Sequence, residues 1–465
     1  MRPRCRNPLQ CRNPAVRRLY EDPAYDTSRW PPSHWRASLP APAPAAPLTG
    51  FVRAEVAVIG AGYAGLNAAL ELARGHGADV VVLDAGQPGW GASGRNGGFC
   101  CIGGSKLSDR QIVARVGEGG ARDFRDFQHR AIERVAGLLS RHGIAARQGP
   151  TGDICIAHSP RALKALAEDA EAKMALYGEE TELIPAAALA ERGLTGAGFH
   201  GAAFSPTGFP IHPLAYAEGL AGVARATGVQ LYGQSPVVAL APEGQGWRLT
   251  TPQGSVLARR VLIATNGYSS DDLPPWIGGR TLPAQSAVLM TRPLSAAERR
   301  AQGFTTPIMS YDTRHLLHYF RHLPDGRFLF GMRGGISAAT SAAARTAARV
   351  RDDFARMFPA WAAVPVEAEW SGFVCLTGSL APFVGPVPGA QGLYAAFGWH
   401  GNGVAPASLG GVLAAGLIAG RPTPVPALMR IPPRRFPLPP LRRTWLRAAY
   451  AVYGLQDGAL PRRAA

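Results

Sequence analysis

The motif Gly60-Ala-Gly62-Tyr-Ala-Gly65 constrains this chain more than any other feature, because of what flanks it. Residues 55–59 read as a short apolar strand, 66–74 as a helix, and 79–83 as a second apolar strand ending at Asp84. Strand, glycine turn, helix and strand make a β-α-β unit, which requires a parallel sheet. The glycines permit a tight turn and bring backbone N–H groups close to a ligand. The helix N-terminus adds partial positive charge, a combination suited to a pyrophosphate. Asp84 stands where a carboxylate accepts from both hydroxyls of an adenosine ribose and repels a 2′-phosphate, which argues against NADP. A ligand-free glycine turn has the same local spacing; strand, helix and Asp84 together favour dinucleotide binding.

Two further glycine-dense bends follow. Gly89-Trp-Gly-Ala-Ser-Gly-Arg-Asn-Gly-Gly98 comes directly after the second strand. Glycine loses extra backbone entropy on ordering, so such a loop suits a place where backbone meets a ligand. Ser93, Arg95 and Asn96 offer donors there; a flexible surface loop is the bland alternative. Gly398-Trp-His-Gly-Asn-Gly403 precedes an apolar run, 404–420, that is short for a membrane span and reads as a buried helix. A nicotinamide enzyme has no evident use for a second loop-to-helix device. A flavin has one, because a helix dipole and backbone donors stabilise the negative charge that reduction places at its N1/C2 edge.

Composition narrows the class. Hydrophobic residues make up 46% and charged ones 17%, which excludes wholesale disorder. The net charge is +17, but residues 1–18 hold six arginines and 430–465 hold eight against Asp457 alone, so the body is close to neutral. No basic folded face for nucleic acid is implied. The six cysteines (Cys5, Cys11, Cys100, Cys101, Cys155, Cys375) show neither C-x-x-C nor zinc spacing, so no metal site and no disulfide framework are expected. With no apolar run behind the arginine-rich start, a cytoplasmic location follows as the expectation.

Elsewhere, residues 111–141, 161–177 and 213–228 read as helices, the last opened by Pro213 and closed by Gly228. Residues 236–240, 247–251 and 256–265 read as an antiparallel meander. Asp325-Gly326 between 316–321 and 327–331 signals a hairpin. Residues 366–376 and 393–397 read as late strands. Residues 1–50 and 426–465 read as Pro- and Arg-rich extensions, with a Cys-Arg-Asn-Pro echo at Cys5 and Cys11 and order starting near Phe51. A C-terminal helix over 442–453 places Trp445, Leu446, Ala449, Val452 and Tyr453 on one face. Packing on its own domain is favoured over a membrane surface.

In this order the motifs resemble the FAD-dependent oxidoreductases of the D-amino-acid oxidase superfamily, in particular its gamma-glutamylputrescine oxidase-like and glycine oxidase-like members, from about Tyr20 to Gly420. The implied fold is α/β: a glutathione-reductase-like FAD-binding Rossmann domain with an inserted antiparallel-sheet substrate domain. The FAD domain would comprise 51–108, 199–275 and 370–425, and the substrate domain 109–198 and 276–369. The resemblance carries cofactor contact onto Gly60, Gly62, Tyr63, Ala64 and Gly65, then Asp84 and Ala85, then Ala92, Ser93, Arg95, Asn96, Gly97 and Gly98. It extends to Val238, to Ala264 and Asn266 of an A-T-N-x-Y segment, and to Gly398, His400, Gly401, Asn402, Gly403 and Val404.

Such enzymes pass a hydride from the carbon beside an amine nitrogen to flavin N5. The imine hydrolyses, and O₂ or an electron carrier reoxidises the flavin, O₂ giving H₂O₂. The substrate is an amine or an amino acid. Tyr319 and Arg321, two apart on one strand, face the same side and resemble a Tyr/Arg pair that clamps a substrate carboxylate. His400 is expected beside the flavin. Cys375 lies near a position where some relatives bond FAD covalently, but its spacing differs, so non-covalent FAD is expected. An electron-carrier dehydrogenase, a non-catalytic flavoprotein and an NAD-binding module are the rival readings.

Overall fold

The computed structural model describes residues 16–458 and residue 460; the Cys5 and Cys11 echo lies outside them. Strand Gly50–Ile59 sits at the centre of an eight-stranded sheet. Its second half, Val56–Ile59, is buried on both faces, as a parallel strand must be. Val56 pairs with Val80 and Ile59 with Leu83 of the parallel strand Val80–Leu83. On its other side Ile59 faces Ile263 of Gly254–Ile263. Gln230–Tyr232 and Leu393–Phe397 extend the parallel core outward, and Phe383–Pro386 closes one edge antiparallel. Ala239–Glu243 and Gly246–Thr250 form the expected meander into Gly254–Ile263. Helices Tyr63–His76, Asp109–Arg141, Pro213–Ala226 and Val404–Ile418 share one core on this sheet. His212 caps Pro213–Ala226, and Gly228 takes φ +88° just beyond its end. No described helix is long and apolar enough to cross a membrane.

A second eight-stranded sheet runs Val366–Thr377, Thr281–Thr291, Phe328–Arg333, His318–His322, Met309–Asp312, Asp153–Ile156, Gly201–Ser205, Glu182–Pro185. It is antiparallel except for Met309–Asp312 beside Asp153–Ile156, which are parallel. Phe320, Phe328 and Phe330 pack there against Phe354, Phe358 and Trp361 of the following helical segment. Two strands differ from the sequence reading. Gly201–Ser205 pairs with Asp153–Ile156 and Val366–Thr377 with Thr281–Thr291, so both extend the second sheet rather than the first. Their hydrogen-bond partners are distant in sequence, which a local pattern does not reveal.

The extensions also differ. Order does not begin at Phe51: residues 16–50 wrap both sheets. Trp35 is fully buried and donates its Nε1–H to the Asn96 carbonyl at 2.9 Å. Burying such a ring stabilises the docked segment by about 1.5–3 kcal/mol. At the other end, helix Arg442–Asp457 buries Leu446 and pairs Arg442 with Asp271 and Arg443 with Glu21, while Val452 and Leu455 stay exposed. Proline and arginine counts had marked both ends as tails, yet isolated aromatics and ion pairs anchor them.

Candidate active site

Three bends meet around one crevice of about 360 Å³. In the first, Gly60 takes φ +107°, and a Cβ on Gly65 would collide with the Gly60 carbonyl, so the helix starts at closest approach to the strand. Gly60, Gly62, Tyr63 and Ala64 line the crevice; Gly65 lies behind and acts through packing. Gly62 leaves helix Tyr63–His76 without a side-chain cap at its Ncap position. Asp84 and Ala85 line the wall. Asp84 accepts from the Ala61 N–H at 2.6 Å and the Gly86 N–H at 2.8 Å. Burial raises its pKa, and the two N–H bonds oppose that. A carboxylate has capacity for further donors beyond those two.

The second bend supplies Ala92, Ser93, Arg95, Asn96 and Gly97 to the wall. Ser93 Oγ accepts from the Tyr63 N–H at 3.0 Å and so joins this bend to the first. Arg95 donates Nε–H to the Trp90 carbonyl at 2.7 Å and lies over the Trp90 ring, 3.9 Å from its centroid. Its Nη2 is buried without a partner, as is the Tyr268 hydroxyl on the same wall. Each such orphan costs about 1–3 kcal/mol unless a ligand accepts from it. Gly98 is under the loop, held between Ile211 and Arg321.

The third bend contributes Gly401, Asn402, Gly403 and Val404 to the wall, and Gly403 leaves helix Val404–Ile418 uncapped by any side chain. This helix lies so close to Tyr63–His76 that a Cβ on Gly411 would collide with the Ala64 carbonyl. Ala264 and Asn266 line the crevice, and Asn266 Oδ1 accepts from the Gly398 N–H at 2.9 Å, although Gly398 itself is off the wall. Val238 spends its N–H on the Thr250 carbonyl, and its neighbour Val237 faces the crevice instead.

Tyr319 and Arg321, expected to meet substrate, and His400, expected beside the flavin, separate. Tyr319 lines the crevice, its hydroxyl 2.9 Å from Ser286 Oγ. Arg321 shares its side of the strand but passes beneath the second bend. It donates to the carbonyls of Gly97 and Ile211 and to Gln148 Oε1, so its guanidinium holds the loop rather than standing in the crevice wall. Burial lowers its pKa to about 9. His400 belongs to the third bend at φ +50°, but its imidazole is buried behind it with Nε2 3.3 Å from Thr377 Oγ1 and Nδ1 unpartnered. Burial, then Lys106 and Arg333, push its pKa well down and keep it neutral.

Two cations absent from the sequence reading line the crevice. Lys106 lies on the segment after the second bend, and Arg333 ends strand Phe328–Arg333. Arg333 Nη2 donates to the His400 carbonyl at 3.1 Å. Lys106 is one of only three lysines, a signal that was available; Arg333, among many arginines, offered none. Among the described residues no cluster of His, Cys, Asp and Glu could hold a metal ion.

These features fit FAD: two helix N-termini opened by glycine for anionic edges, a carboxylate at the end of the second strand, and orphaned donors between them. The comparisons agree. The family model described as FAD dependent oxidoreductase matches residues 55–417. The gamma-glutamylputrescine oxidoreductase of Escherichia coli is 30% identical over 436 residues, covering 91% of this chain and 98% of that protein. The glycine oxidase of Geobacillus kaustophilus superposes with a TM-score of 0.66 at 22% identity, over 80% of this chain and 96% of that one. The iminodiacetate oxidase of Chelativorans sp. superposes with a TM-score of 0.66 at 18% identity, over 80% and 97%. A crevice built from both ends of the chain, inside a match that spans most of it, places this protein among the FAD-dependent oxidoreductases of the D-amino-acid oxidase family.

Proposed function

We propose that the protein oxidises an amine or amino acid at the carbon beside nitrogen. The observation that carries this reading is the opening of helices Tyr63–His76 and Val404–Ile418 onto one crevice to whose wall the second sheet contributes Ser286, Tyr311, Tyr319 and Arg333. Bound FAD would supply the two-electron oxidant. Asp84 would hold the ribose, the first bend the pyrophosphate, and the N–H groups at Gly403 and Val404 the ring's anionic edge. With FAD bound, the substrate would give up a hydride and a proton, water would split the imine into a carbonyl compound and an amine or ammonia, and dioxygen would take the two electrons with two protons as H₂O₂. Tyr319 and Ser286 offer hydroxyls to position the substrate. Lys106 and Arg333 favour the neutral amine that hydride loss requires, since neighbouring cations lower an ammonium pKa. Segments 51–108, 199–275 and 370–425 would bind the cofactor and 109–198 with 276–369 the substrate, with Gly201–Ser205 and Val366–Thr377 assigned to the latter.

FAD is held non-covalently in this reading. Burial pushes the Cys375 thiol up to about 12, so the thiolate needed for attachment is scarce. Acid precipitation should leave the flavin in the supernatant. A cytoplasmic location is consistent with the free thiols among the described residues, Cys100, Cys101, Cys155 and Cys375. Anaerobic mixing with an amine and amino-acid panel tests the function. Bleaching of the flavin by one member is expected, and no bleaching by any sinks the reading. Stoichiometric peroxide in air supports an oxidase; bleaching without peroxide assigns the electrons to a carrier.

A further inference from the structure

Helix Arg442–Asp457, near the end of the chain, has two faces that differ in kind. The inner face is pinned to the fold. Leu446 packs against Leu282 and Ala284 of strand Thr281–Thr291. Arg442 pairs with Asp271 and Arg443 with Glu21. At the far end Asp457 accepts from the His315 and Leu316 N–H groups at 2.7 and 2.9 Å. Tyr453 stacks on His315, with ring centroids 4.9 Å apart. Held at both ends, the helix presents its outer face as a fixed surface.

On that outer face Leu441, at the Ncap position, is followed by Trp445, Ala448, Val452 and Leu455. Spacings of four, three, four and three place all five along one side of the helix. The stripe runs about 21 Å along the axis. Every member is exposed, Leu455 at 85%. Ile431 and Leu438, just ahead of the helix, are exposed as well. Among the described residues, seven of the eleven large apolar side chains left in solvent fall between 431 and 455. A concentration of exposed apolar surface marks a docking face, where scattered single residues would not.

Charge decides what docks there. Residues 430–456 carry Arg430, Arg434, Arg435, Arg442, Arg443 and Arg447 and no Asp or Glu. Arg442 and Arg443 are matched by their ion pairs. Among the described residues the other four have no carboxylate within ion-pair distance, and all four are exposed. A second copy of the chain would set these like charges against each other across a two-fold contact, with no acid to answer them. A helix about 24 Å long and about 10 Å across also offers less than the roughly 800 Å² per partner of a stable interface. A bilayer surface with anionic headgroups answers both features together. The apolar stripe enters the boundary of the acyl chains, and the arginines beside it reach the phosphates. Arg447 stands about 120° round the helix from the middle of the stripe, where a long side chain extends to headgroup level. Trp445 has the amphipathic ring favoured at that boundary.

We propose that the outer face of helix Arg442–Asp457, with the segment 431–441 ahead of it, docks the protein onto an anionic lipid surface. Packing on its own domain and contact with a membrane are then not alternatives for this helix, because each takes one face. The docking uses no residue of the crevice wall and goes beyond the amine-oxidation reading.

The test sediments the full-length holoenzyme with vesicles of phosphatidylglycerol and phosphatidylcholine in equal amounts, and with vesicles of phosphatidylcholine alone. Binding to the first should exceed binding to the second by about tenfold or more, since several arginines each favour the anionic surface. Salt at ~1 M, which shortens the screening length to about 3 Å, should release most of the protein. Val452→Ser together with Leu455→Ser should lower the partition coefficient about tenfold or more, and so should Arg434→Gln together with Arg447→Gln. All four positions are exposed, so these variants keep the fold. Leu183→Ser, at an exposed apolar position of strand Glu182–Pro185, is the control and should bind as the parent does. Brominated lipid should quench the parent's fluorescence, and Trp445→Phe should remove most of that quenching. The proposal is overturned by no sedimentation with the anionic vesicles, by equal sedimentation with both kinds, or by undiminished binding of the Val452→Ser, Leu455→Ser protein. A dimer in light scattering that the same two substitutions dissolve overturns it too, by giving the face to a second copy. None of these readouts needs turnover, so the docking stands or falls apart from amine oxidation.

Discussion

Asn266 Oδ1 accepts the Gly398 N–H at 2.9 Å, so a side chain after the central strand Gly254–Ile263 fixes the start of the third bend. Asn266 itself takes φ +46°, a conformation that asparagine tolerates better than most residues. Asn266→Ala removes the acceptor and leaves a Cβ residue in the left-handed region. The expected loss is about 2 kcal/mol from the two effects together. Fluorescence titration of apoprotein with FAD should show weaker binding for the variant, because the third bend is no longer held against the first sheet.

Gly411 sets how closely the two cofactor helices approach. Its missing Cβ makes room for the Ala64 carbonyl. Gly411→Val should destabilise the fold by about 1–3 kcal/mol through overpacking and should reduce bound flavin. Gly222, in helix Pro213–Ala226, has nothing near its absent Cβ. Gly222→Ala is the matched control, and it should be neutral or stabilise by up to about 1 kcal/mol. Urea unfolding of both variants checks the contrast.

Arg321 is a loop-holding residue in this structure, and its substitution should read out in stability. Arg321→Met leaves the Gly97 and Ile211 carbonyls without their buried donor, a loss of about 2–4 kcal/mol. A thermal melt should show the drop. A tenfold rise in KM with an unchanged melting temperature would instead make Arg321 a substrate residue.

His318 lies buried between Asp312, 2.8 Å from Nδ1, and Asp353, 3.3 Å from Nε2. Burial alone would lower its pKa, but Asp312 and then Asp353 outweigh it and raise the value to about 9. A folded-state pKa above the unfolded value contributes stability that is whole below about pH 6.5 and fades as pH rises through about 9. Chemical denaturation should show a loss on the order of 1–3 kcal/mol between pH 6.5 and 10. His318→Gln should flatten that slope while lowering stability at pH 6.5.

What the sequence made legible was whatever local pattern controls. The run after Gly403 forms helix Val404–Ile418 because its residues are almost uniformly apolar and its start is marked by glycine. Gly60 to Gly65 and Asp84 sit together because a β-α-β unit leaves them little choice. Less was legible where partners are distant in sequence. Nothing near Gly201 announces pairing with Asp153–Ile156, and nothing near Trp35 announces the Asn96 carbonyl. Tyr319 and Arg321 share a strand side by simple alternation, yet only tertiary placement decides that one reaches the crevice and the other supports the loop. Lys106 and Arg333 acquire meaning only when folding leaves both without a counter-ion.

The first sheet draws its inner strands from the start, the middle and the end of the chain: Gly50–Ile59, Gly254–Ile263 and Leu393–Phe397. A ribosome that has released the first glycine bend must still make more than three hundred residues before the last one exists. A nascent chain therefore has half a cradle for most of its synthesis. Cofactor capture is a late, whole-molecule event, and any truncation short of helix Val404–Ile418 discards the third bend together with the fold's final seam.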